Sequence, residues 1–409
     1  MMAPCFIPSH LGVIEDIEDY RPRGSHPISV GNTFDQGHFR VHHKLGFGGS
    51  FTVWLARDQL EEGNQGRIVT LKVMRADVSL CKVPSEIPEL VISQTLRTSL
   101  PSSESIGFQT VDHHLFVQGP NGSHLCLVFP LAGPSILAIC RLRADLARNV
   151  AKQTAMRIHH MHRAGVVHGD KQSSASFSTM SGADERLHLD LTTSNILFRL
   201  SPHVIKWSDA EVYAHLGNPE TEGIRSRDGQ QPGPHAPAIL IAPFENFRIS
   251  DAMLLQESII VSDFGQSYIV TSPPSSYEPG TVPNYQSPET WFKGHIVEML
   301  GRLPDPCWAA FEQCMLWFEE DGQPKSEQDR ERAGVLLQAY KSSIRAKLFE
   351  IGEQEDQPPE DKGPMIEKPG VRLQEEEVGL LQDLLLKMLK YFSEERIRIQ
   401  DVIRHPWFT

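Results

Sequence analysis

An acidic residue followed five positions later by an amide marks the most constraining stretch of the sequence, H-L-D-L-T-T-S-N-I-L-F at His188–Phe198. The apolar run after Asn195 predicts a short strand, and Asp190 and Asn195 lie on the tight loop that enters it. In phosphoryl transfer an aspartate orients the attacking hydroxyl, and an asparagine holds a metal ion on the nucleotide phosphates. Both are also ordinary turn residues. The stretch gains this meaning only together with Leu45–Lys72 upstream and Asp263–Gly265 downstream.

The composition indicates a globular chain with reduced cysteines. Its 409 residues, 40% hydrophobic and 22% charged, suffice for two or three domains or for one large two-lobed enzyme. The net charge of −13 argues against direct nucleic-acid binding and favours basic partners. The six cysteines form no C-x-x-C pair, which predicts reduced thiols, a cytoplasmic or nuclear location and no zinc site. Without a secretory signal or an apolar run of about 18 residues, we expect no membrane span.

Three β-like runs begin near Phe39, where we expect regular structure to start: F-R-V-H-H-K-L-G, F-T-V-W-L-A-R-D and R-I-V-T-L-K-V. Gly46, Gly48 and Gly49 fall between the first two runs. A glycine-rich hairpin can lay its backbone amides against phosphates, because no Cβ blocks the approach. A plain glycine turn is the alternative interpretation.

Lys72 ends the third run, where a charged side chain must face solvent or have a partner. Glu89 is the candidate partner, since it starts a helical pattern behind Pro88, a residue favoured at the first helical position. Glu86 is a nearby alternative. A solvent-exposed lysine and glutamate would be the plain structural interpretation.

Further along, H-H-L-F-V-Q-G-P-N-G-S-H-L-C-L-V-F-P predicts two strands joined by a turn, and a helical face ends near His162. G-V-V-H-G-D predicts a short buried strand, and I-I-V-S-D-F-G-Q-S another, whose Asp263 could face a metal and whose Gly265 gives a flexible exit. Short helical patterns occur at Ala210–Leu216 and between residues 295 and 341. The last helix begins near Glu375, and we assign its apolar stripe from Leu380 to Leu389 to the core.

The segment after Asp170 is polar, serine-rich and without apolar periodicity until H-L-D-L-T-T-S-N begins. The chain therefore offers two H-x-D triplets. Spacing to Asn195 favours Asp190, whereas the preceding strand favours Asp170. Removing residues 171–190 joins V-V-H-G-D to L-T-T-S-N, so this segment is an inserted loop or an unspliced intron.

In chain order these features resemble the protein-kinase set: a glycine-rich loop, a strand lysine, a helix glutamate, H-x-D-L-x-x-x-N, D-F-G and S-P-E. A terminal R-I-R-I-Q-D-V-I-R-H-P-W-F also resembles the closing segment of kinase domains, and its Arg396 is similar to the family's partner for the S-P-E glutamate, here Glu289. Three stretches resemble fungal SR-protein kinases more narrowly: E-D-Y-R-P-R-G-S-H-P-I-S-V-G-N-T-F, K-L-G-F-G-G-S-F-T-V-W-L-A-R-D and G-P-N-G-S-H-L-C-L-V-F.

This resemblance implies an α+β, two-lobed protein-kinase-like fold. Residues 1–38 would form an N-terminal extension, residues 39–132 an N-lobe with an antiparallel sheet plus one helix, and residues 133–409 a mostly helical C-lobe. The C-lobe would carry the polar segment 171–190, a long insert at 201–255 and an acidic linker at 352–370.

The resemblance also implies a serine/threonine kinase that uses ATP and Mg²⁺ and phosphorylates basic, Arg/Ser-rich proteins of mRNA splicing. Lys72, held by Glu89, would touch the α- and β-phosphates, and Asp190 or Asp170 would orient the serine hydroxyl. Asn195 and Asp263 would hold Mg²⁺. The residues that would cover ATP are Leu45, Gly46, Phe47, Gly48, Gly49, Ser50 and Val53.

Four departures from the family pattern bear on activity. Phe51 stands where the third small loop residue belongs, and Thr192 where many such kinases carry a lysine. Gly169 or Leu189 replaces the arginine of H-R-D. After Glu289 the supporting helix with D-x-W-S-x-G, the αF region, is missing from the sequence. Because a catalytic loop depends on such support, a catalytically inactive scaffold and an incomplete gene model of an active kinase are the alternatives.

Overall fold

The computed structural model describes residues 5–60, 66–79, 83–139, 142–168, 191–244, 253–272, 297, 299–311, 314–332, 334, 343–352, 365–368 and 370–409. These residues belong to two compact units. Unit 1 contains the described residues of 1–140, 163–168 and 191–275, and unit 2 those of 141–162 and 276–409. The two units are defined by contacts between residues of the chain. The predicted boundaries of the N-terminal extension, the N-lobe and the C-lobe stay predictions.

A six-stranded antiparallel sheet dominates unit 1, with the strand order β1-β2-β3-β4-β6-β5. Its strands are β1 Thr33–Phe34, β2 Phe39–Gly48, β3 Phe51–Asp58, β4 Arg67–Met74, β5 His113–Gly119 and β6 Gly122–Pro130. The three runs predicted after Phe39 and the two strands around G-P-N-G are confirmed. The glycine placement was predicted less well, because β2 continues through Gly46 to Gly48 and only Gly49–Ser50 form the turn.

Both faces of this sheet are buried. Successive side chains of a strand point to opposite sides, and each side contributes to its own apolar cluster. Trp54, Leu71 and Val73 contribute to one apolar cluster. Met74 and Leu127 contribute to the cluster on the other face. This cluster also contains Ile87, which directly precedes the helix Pro88–Ser99. This two-sided burial explains why R-I-V-T-L-K-V is an almost continuous apolar run.

The N-terminal segment is packed earlier than the sequence indicated, which corrects the predicted start near Phe39. Leu11 and Ile17 lie in an apolar cluster with Leu240 of the long insert. Lys44 of β2 is fully buried, and its ammonium contacts the carboxylate of Glu15, which also accepts a hydrogen bond from a tyrosine hydroxyl. Apolar residues spread through a Pro/Gly-punctuated arm gave no periodic signal for this packing.

The other elements of unit 1 are short apart from one helix. They are α1 Ala76–Ser79, α2 Pro88–Ser99, α3 Ser102–Ser105, β7 Val166–Val167, β8 Ile196–Leu200, α5 Asp209–Leu216, β9 Thr221–Gly223, β10 Ile239–Ile241, β11 Leu255–Val261 and β12 Tyr268–Ile269. Strands β8 and β11 pair antiparallel, as do β7 with β12 and β9 with β10. Pro88 is the first residue of α2, as predicted.

An ion pair links the large sheet to the chain that follows β8. The guanidinium of Arg57 on β3 donates to the Asp209 carboxylate at 2.7 Å and to the Trp207 carbonyl at 2.6 Å. Asp209 is the first residue of α5, whose N-terminus is closed by a capping box between Ser208 and Glu211. Such a box satisfies two otherwise unpaired backbone donors.

Unit 2 is helical in its described part. Its helices are α4 Ala144–Arg163, whose last residue belongs to unit 1, and α6 Asp305–Ala310, α7 Cys314–Trp317, α8 Glu327–Arg332, α9 Ile344–Glu350, α10 Glu375–Met388 and α11 Ile399–Ile403. The predicted start of α10 is confirmed. Its apolar stripe is only partly core, because Leu384 is buried while Met388 and Leu389 are exposed. In the described part of the chain, no helix combines the length and apolar character needed to cross a membrane.

Candidate active site

A buried ammonium group lies between two carboxylates on one side of the sheet. The Nζ atom of Lys72 is 3.3 Å from Oε1 of Glu89 and 2.9 Å from Oδ1 of Asp263. Lys72 and Glu89 are 7% and 5% exposed, whereas the Asp263 side chain is 38% exposed. Glu86, the alternative partner, is exposed and is not part of this cluster. The structure therefore brings together three of the residues that the sequence singled out.

Local structure explains how Lys72 and Glu89 meet. Lys72 lies directly opposite Val53 in the β3–β4 register, so its side chain points to the face that α2 covers. Glu89 is the second residue of α2, where a carboxylate is favoured by the positive end of the helix dipole. The helix therefore presents its acidic first turn to the buried lysine.

Asp263 and Asn195 lie at neighbouring ends of a strand pair. Asn195 directly precedes β8, and Asp263 follows β11 after one residue, Ser262, whose backbone N–H donates to the Asn195 carbonyl at 2.9 Å. Asp263 has a φ of +58°, a left-handed conformation that is costly for most residues and tolerated best by Asn, Asp and Gly. Backbone strain of this kind clusters at functional sites.

The opposite charges of Lys72 and Asp263 stabilise each other. Burial opposes the charged form of Lys72, but Asp263 and Glu89 outweigh it and raise the lysine pKa above its usual value. The Lys72 ammonium in turn lowers the pKa of Asp263, against the effect of burial and with a smaller contribution from His168. At neutral pH the site therefore holds a charged lysine and an ionised aspartate.

The glycine-rich hairpin is the tip of β2 and β3. Gly46 lies opposite Val53 and Gly48 opposite Phe51, so both glycines share the sheet face of Lys72. Leu45 and Phe47 belong to β2 as well, and Gly49–Ser50 form the turn. The residues predicted to cover ATP thus form one continuous hairpin above Lys72.

Gly265 lies close to the Glu89 carboxylate, a feature that the sequence did not predict, while its predicted role as a flexible exit stays a prediction. A Cβ atom at this position would lie 2.8 Å from Oε1 of Glu89 and 3.4 Å from Oδ1 of Asp263. The first of these separations is shorter than real Cβ contacts. A side chain at this position would therefore have to displace the Glu89 carboxylate that contacts Lys72.

Two contacts at this site were not predicted from the sequence. His168, fully buried after β7, is 2.9 Å from the Ser262 carbonyl through Nε2 and packs edge-on against Phe264. The ring of Phe51 lies over the Lys72 ammonium, 4.1 Å from Nζ to the ring centroid. The H-x-D triplet could have signalled the histidine, whereas the phenylalanine contact depends on strand orientation.

The donor set at the strand ends fits a hard cation. An ionised carboxylate and a side-chain amide oxygen are ligands that Mg²⁺ accepts, and it commonly takes only one or two protein ligands beside phosphates and water. Asp263 is exposed enough to reach such an ion, and Asn195 is fixed by its backbone bonds to Ser262. No group of three or more His, Cys, Asp or Glu suited to a metal occurs among the described residues.

Several predicted site residues lie outside the described part of the chain. These are Asp170, Asp190, Gly169, Leu189 and Glu289, together with the segment 171–190 and the region after S-P-E from which the αF sequence is missing. Most of the acidic linker at 352–370 is outside it too. Thr192 is described and buried.

The chain is similar to known protein kinases in sequence. It shares 28% identity over 229 residues with the serine/threonine-protein kinase SRPK of Physarum polycephalum, covering 53% of this chain and 48% of that kinase. It shares 31% identity over 166 residues with the protein kinase dsk1 of Schizosaccharomyces pombe, covering 38% of this chain and 29% of dsk1. The chain thus spans less than half the length of these relatives. No protein-family model matches it.

The fold is also that of a protein kinase. The crystal structure of a kinase domain aligns with a TM-score of 0.51 at 12% identity, covering 94% of this chain and 99% of that chain. At this identity the likeness establishes the fold alone. The sequence similarity makes the chain SRPK-like and confirms the resemblance seen in its motifs, and the structural match confirms the protein-kinase fold.

Proposed function

We propose that this chain is an ATP-dependent serine/threonine protein kinase that phosphorylates serines in basic, Arg/Ser-rich proteins. The observation that carries the proposal is the position of the Lys72 ammonium between Glu89 and Asp263, beside the strand end that holds Asn195. Phosphoryl transfer relies on positioned charges around the phosphates rather than on covalent chemistry by the protein.

In this mechanism Lys72 binds phosphate oxygens with a charge that its two carboxylate neighbours maintain. Glu89 is buried and keeps the ammonium in place, while Asp263 is exposed enough to exchange part of its contact with Lys72 for a metal ion. Mg²⁺ held by Asp263 and Asn195 would neutralise charge on the phosphates. Asp190 or Asp170 would orient the serine hydroxyl, in the role implied by the resemblance.

The preference for basic substrates rests on charge and on the relatives. A net charge of −13 favours encounter with Arg-rich segments and disfavours acidic ones. A relative in Homo sapiens that is named SRSF protein kinase 3 supports the same choice. A cytoplasmic or nuclear location, which the cysteine pattern favours, is part of the proposal.

The test is transfer of ³²P from ATP to an Arg-Ser repeat peptide by the pure, folded full chain. An Arg-Ala repeat, which lacks the hydroxyl, is the matched peptide control. We expect Lys72→Ala to lower the rate by about 10²–10³-fold, the usual cost of losing one preorganised charge at a transition state. Lys206→Ala, at an exposed lysine of the same unit, should keep the wild-type rate.

Absence of transfer from a folded wild-type chain would contradict the proposal. It would favour the alternative of a binding scaffold, which predicts thermal stabilisation by a partner protein without turnover. Equal rates for wild type and Lys72→Ala would also contradict it, because the measured activity would then come from a contaminant.

A further inference from the structure

An aromatic ring occupies one side of the ammonium that the proposed mechanism assigns to phosphate. The centroid of the Phe51 ring is 4.1 Å from Nζ of Lys72, well inside the separation of about 6 Å at which a cation is attracted to a ring face. This contact places the half-buried ring on the Lys72 side of the sheet.

Strand alternation accounts for the position of this ring. Phe51 lies opposite Met74, and Val53 lies opposite Lys72, in an unbroken β3–β4 register. Directly opposed residues share a face, and neighbours along a strand alternate. Residue 51 must therefore point to the Lys72 side, where Phe51 packs against the cluster that contains Met74 and Leu127.

Three contacts with described residues surround the Lys72 ammonium group. A lysine carries three N–H donors, and Glu89 and Asp263 accept from two of them. The Phe51 ring covers the group from a further direction. A phosphate oxygen that approaches the third donor from the side of the ring therefore has to displace the ring.

The glycines of the hairpin show which space the ring fills. A Cβ atom on Gly48 would lie 2.6 Å from Cζ of Phe51, so the ring lies directly against the glycine backbone. A Cβ atom on Gly46 would meet nothing within 4 Å. Of the two glycine positions that face Lys72, one is thus open and the other is filled by the ring.

The hairpin tip is anchored, so the ring cannot leave simply by movement of the whole turn. The backbone N–H of Arg75 donates to the Ser50 carbonyl at 2.9 Å. The Arg75 guanidinium is 3.4 Å from the Gly49 carbonyl and is held by Asp19 at 2.8 Å. Displacement of the ring would therefore be a rotation of the Phe51 side chain.

We infer that Phe51 is an intramolecular competitor for the phosphate subsite: its ring holds the place at Lys72 that a nucleotide phosphate takes, and it lowers nucleotide affinity until it rotates away. This inference rests on the proposed function only in naming ATP as the nucleotide. The competition itself concerns any polyphosphate anion that reaches Lys72.

Calorimetric titration of the full chain with ATP, inorganic triphosphate and adenosine tests the inference. We expect Phe51→Ser to bind ATP and triphosphate about tenfold more tightly than wild type, which corresponds to about 1.4 kcal/mol. Adenosine, which lacks phosphates, should bind both chains equally. Adding Lys72→Ala should abolish the gain, because the ring then has no ammonium to cover.

Three further variants serve as controls. Phe116→Ser removes an exposed phenylalanine on β5 of the same sheet and should change no affinity. Ser50→Phe combined with Phe51→Ser preserves composition and moves the ring off the Lys72 face, so it should match Phe51→Ser. If serine at position 51 prevents folding, Phe51→Leu retains apolar packing, removes the ring face and should still tighten triphosphate binding.

The outcomes separate the two proposals. Wild type that binds ATP, with no gain for triphosphate in any Phe51 variant, overturns the inference and leaves the kinase proposal intact. A gain for triphosphate without ATP binding by any chain supports the inference and contradicts the kinase proposal. An equal gain for adenosine, or no binding of any anion by any chain, overturns the inference.

Discussion

The Nζ atom of Lys72 lies 2.9 Å from Oδ1 of Asp263, although 191 positions separate the two residues in the sequence. One is near the end of a strand in the large sheet and the other follows β11 in a two-stranded sheet. The contact neutralises an otherwise costly buried charge. The position of the Lys72 ammonium group therefore depends on contacts between distant parts of the sequence.

The first prediction concerns the left-handed backbone of Asp263. Replacing Asp263 by Asn, Gly or Ala should lower phosphoryl transfer, because each removes the carboxylate that we propose holds Mg²⁺. Stability should differ, since Ala at φ +58° is more strained than Gly by about 1–2 kcal/mol. Chemical denaturation of the variants, beside the kinase assay, checks both expectations.

A result in which Asp263→Ala is as stable as Asp263→Gly would contradict the positive φ. Mg²⁺ titration of activity adds an independent readout. Asp263→Asn should need a higher Mg²⁺ concentration for half-maximal rate, because an amide binds the cation more weakly than a carboxylate does.

The second prediction concerns Gly265. Its replacement by Ala puts a methyl group 2.8 Å from the Glu89 carboxylate, and overpacking of this kind costs about 1–3 kcal/mol. The carboxylate should give way and release Lys72, so we expect at least a tenfold loss of phosphoryl transfer together with lower stability. The measurements are the kinase rate and the free energy of unfolding.

Gly223→Ala is the matched control for this change, because a Cβ atom on Gly223 meets nothing within 4 Å. It should alter neither quantity. A fully active and stable Gly265→Ala chain would show that the chain after Asp263 does not pass against Glu89.

The third prediction is a pH dependence of stability from His26. Burial, with a smaller contribution from the neighbouring His124 ring at 4.8 Å, lowers the pKa of His26 from 6.5 to about 4. Between these values the unfolded chain binds more protons than the folded one, so stability falls as the pH falls from about 6.5 towards 4. Above this window the contribution is fully present.

At the low end of the window the loss of stability should reach about 3 kcal/mol, because each tenfold difference in proton affinity between the folded and unfolded chains corresponds to about 1.4 kcal/mol. Urea denaturation between pH 4 and 7 measures it. His26→Gln should flatten the profile, although His124, whose pKa burial also lowers, retains part of the slope. His114→Gln, at an exposed position, should leave the profile unchanged, and an unaltered slope in His26→Gln would refute the assignment.

The fourth prediction concerns the buried pair of Lys44 and Glu15. Removing one partner leaves an uncompensated charge inside the protein, so Glu15→Gln should destabilise the chain by about 3–5 kcal/mol. The double variant Glu15→Gln with Lys44→Met should be more stable than Glu15→Gln alone, because no charge remains to be buried. A double-mutant cycle by chemical denaturation measures the interaction.

An exposed pair provides the comparison. Lys347 and Glu350 on α9 lie 2.8 Å apart with both side chains more than half exposed, and Glu350→Gln should cost at most about 1 kcal/mol. Similar losses for Glu15→Gln and Glu350→Gln would mean that Glu15 is not buried against Lys44.

Much of the sheet could be predicted because local pattern and tertiary environment agree there. The runs of β2, β3 and β4 alternate or stay apolar as their buried faces require, and Pro88 fixes the start of α2. Lys72 and Glu89 could be paired as well, since both are charged residues next to apolar runs and only 17 positions apart.

The rest of the site depends on long-range packing that leaves no local signal. The positive φ of Asp263 and the close passage of Gly265 along Glu89 leave no pattern in the neighbouring sequence. Phe51 was recognised as a departure from the family pattern. Its contact with Lys72 follows from the strand register, which could not be assigned residue by residue before β3 and β4 were aligned.

The contacts of Arg57 with Asp209 and Trp207 affect the expected rate at which the proposed nucleotide would bind and dissociate. They attach the third strand of the large sheet to the chain just beyond β8, the strand that Asn195 precedes. A hinge that swung the sheet away from these strands would have to break a charged pair and a backbone contact together. We therefore expect nucleotide exchange to proceed while the sheet and the hairpin tip stay in place, with a residence time set by rotation of the Phe51 side chain.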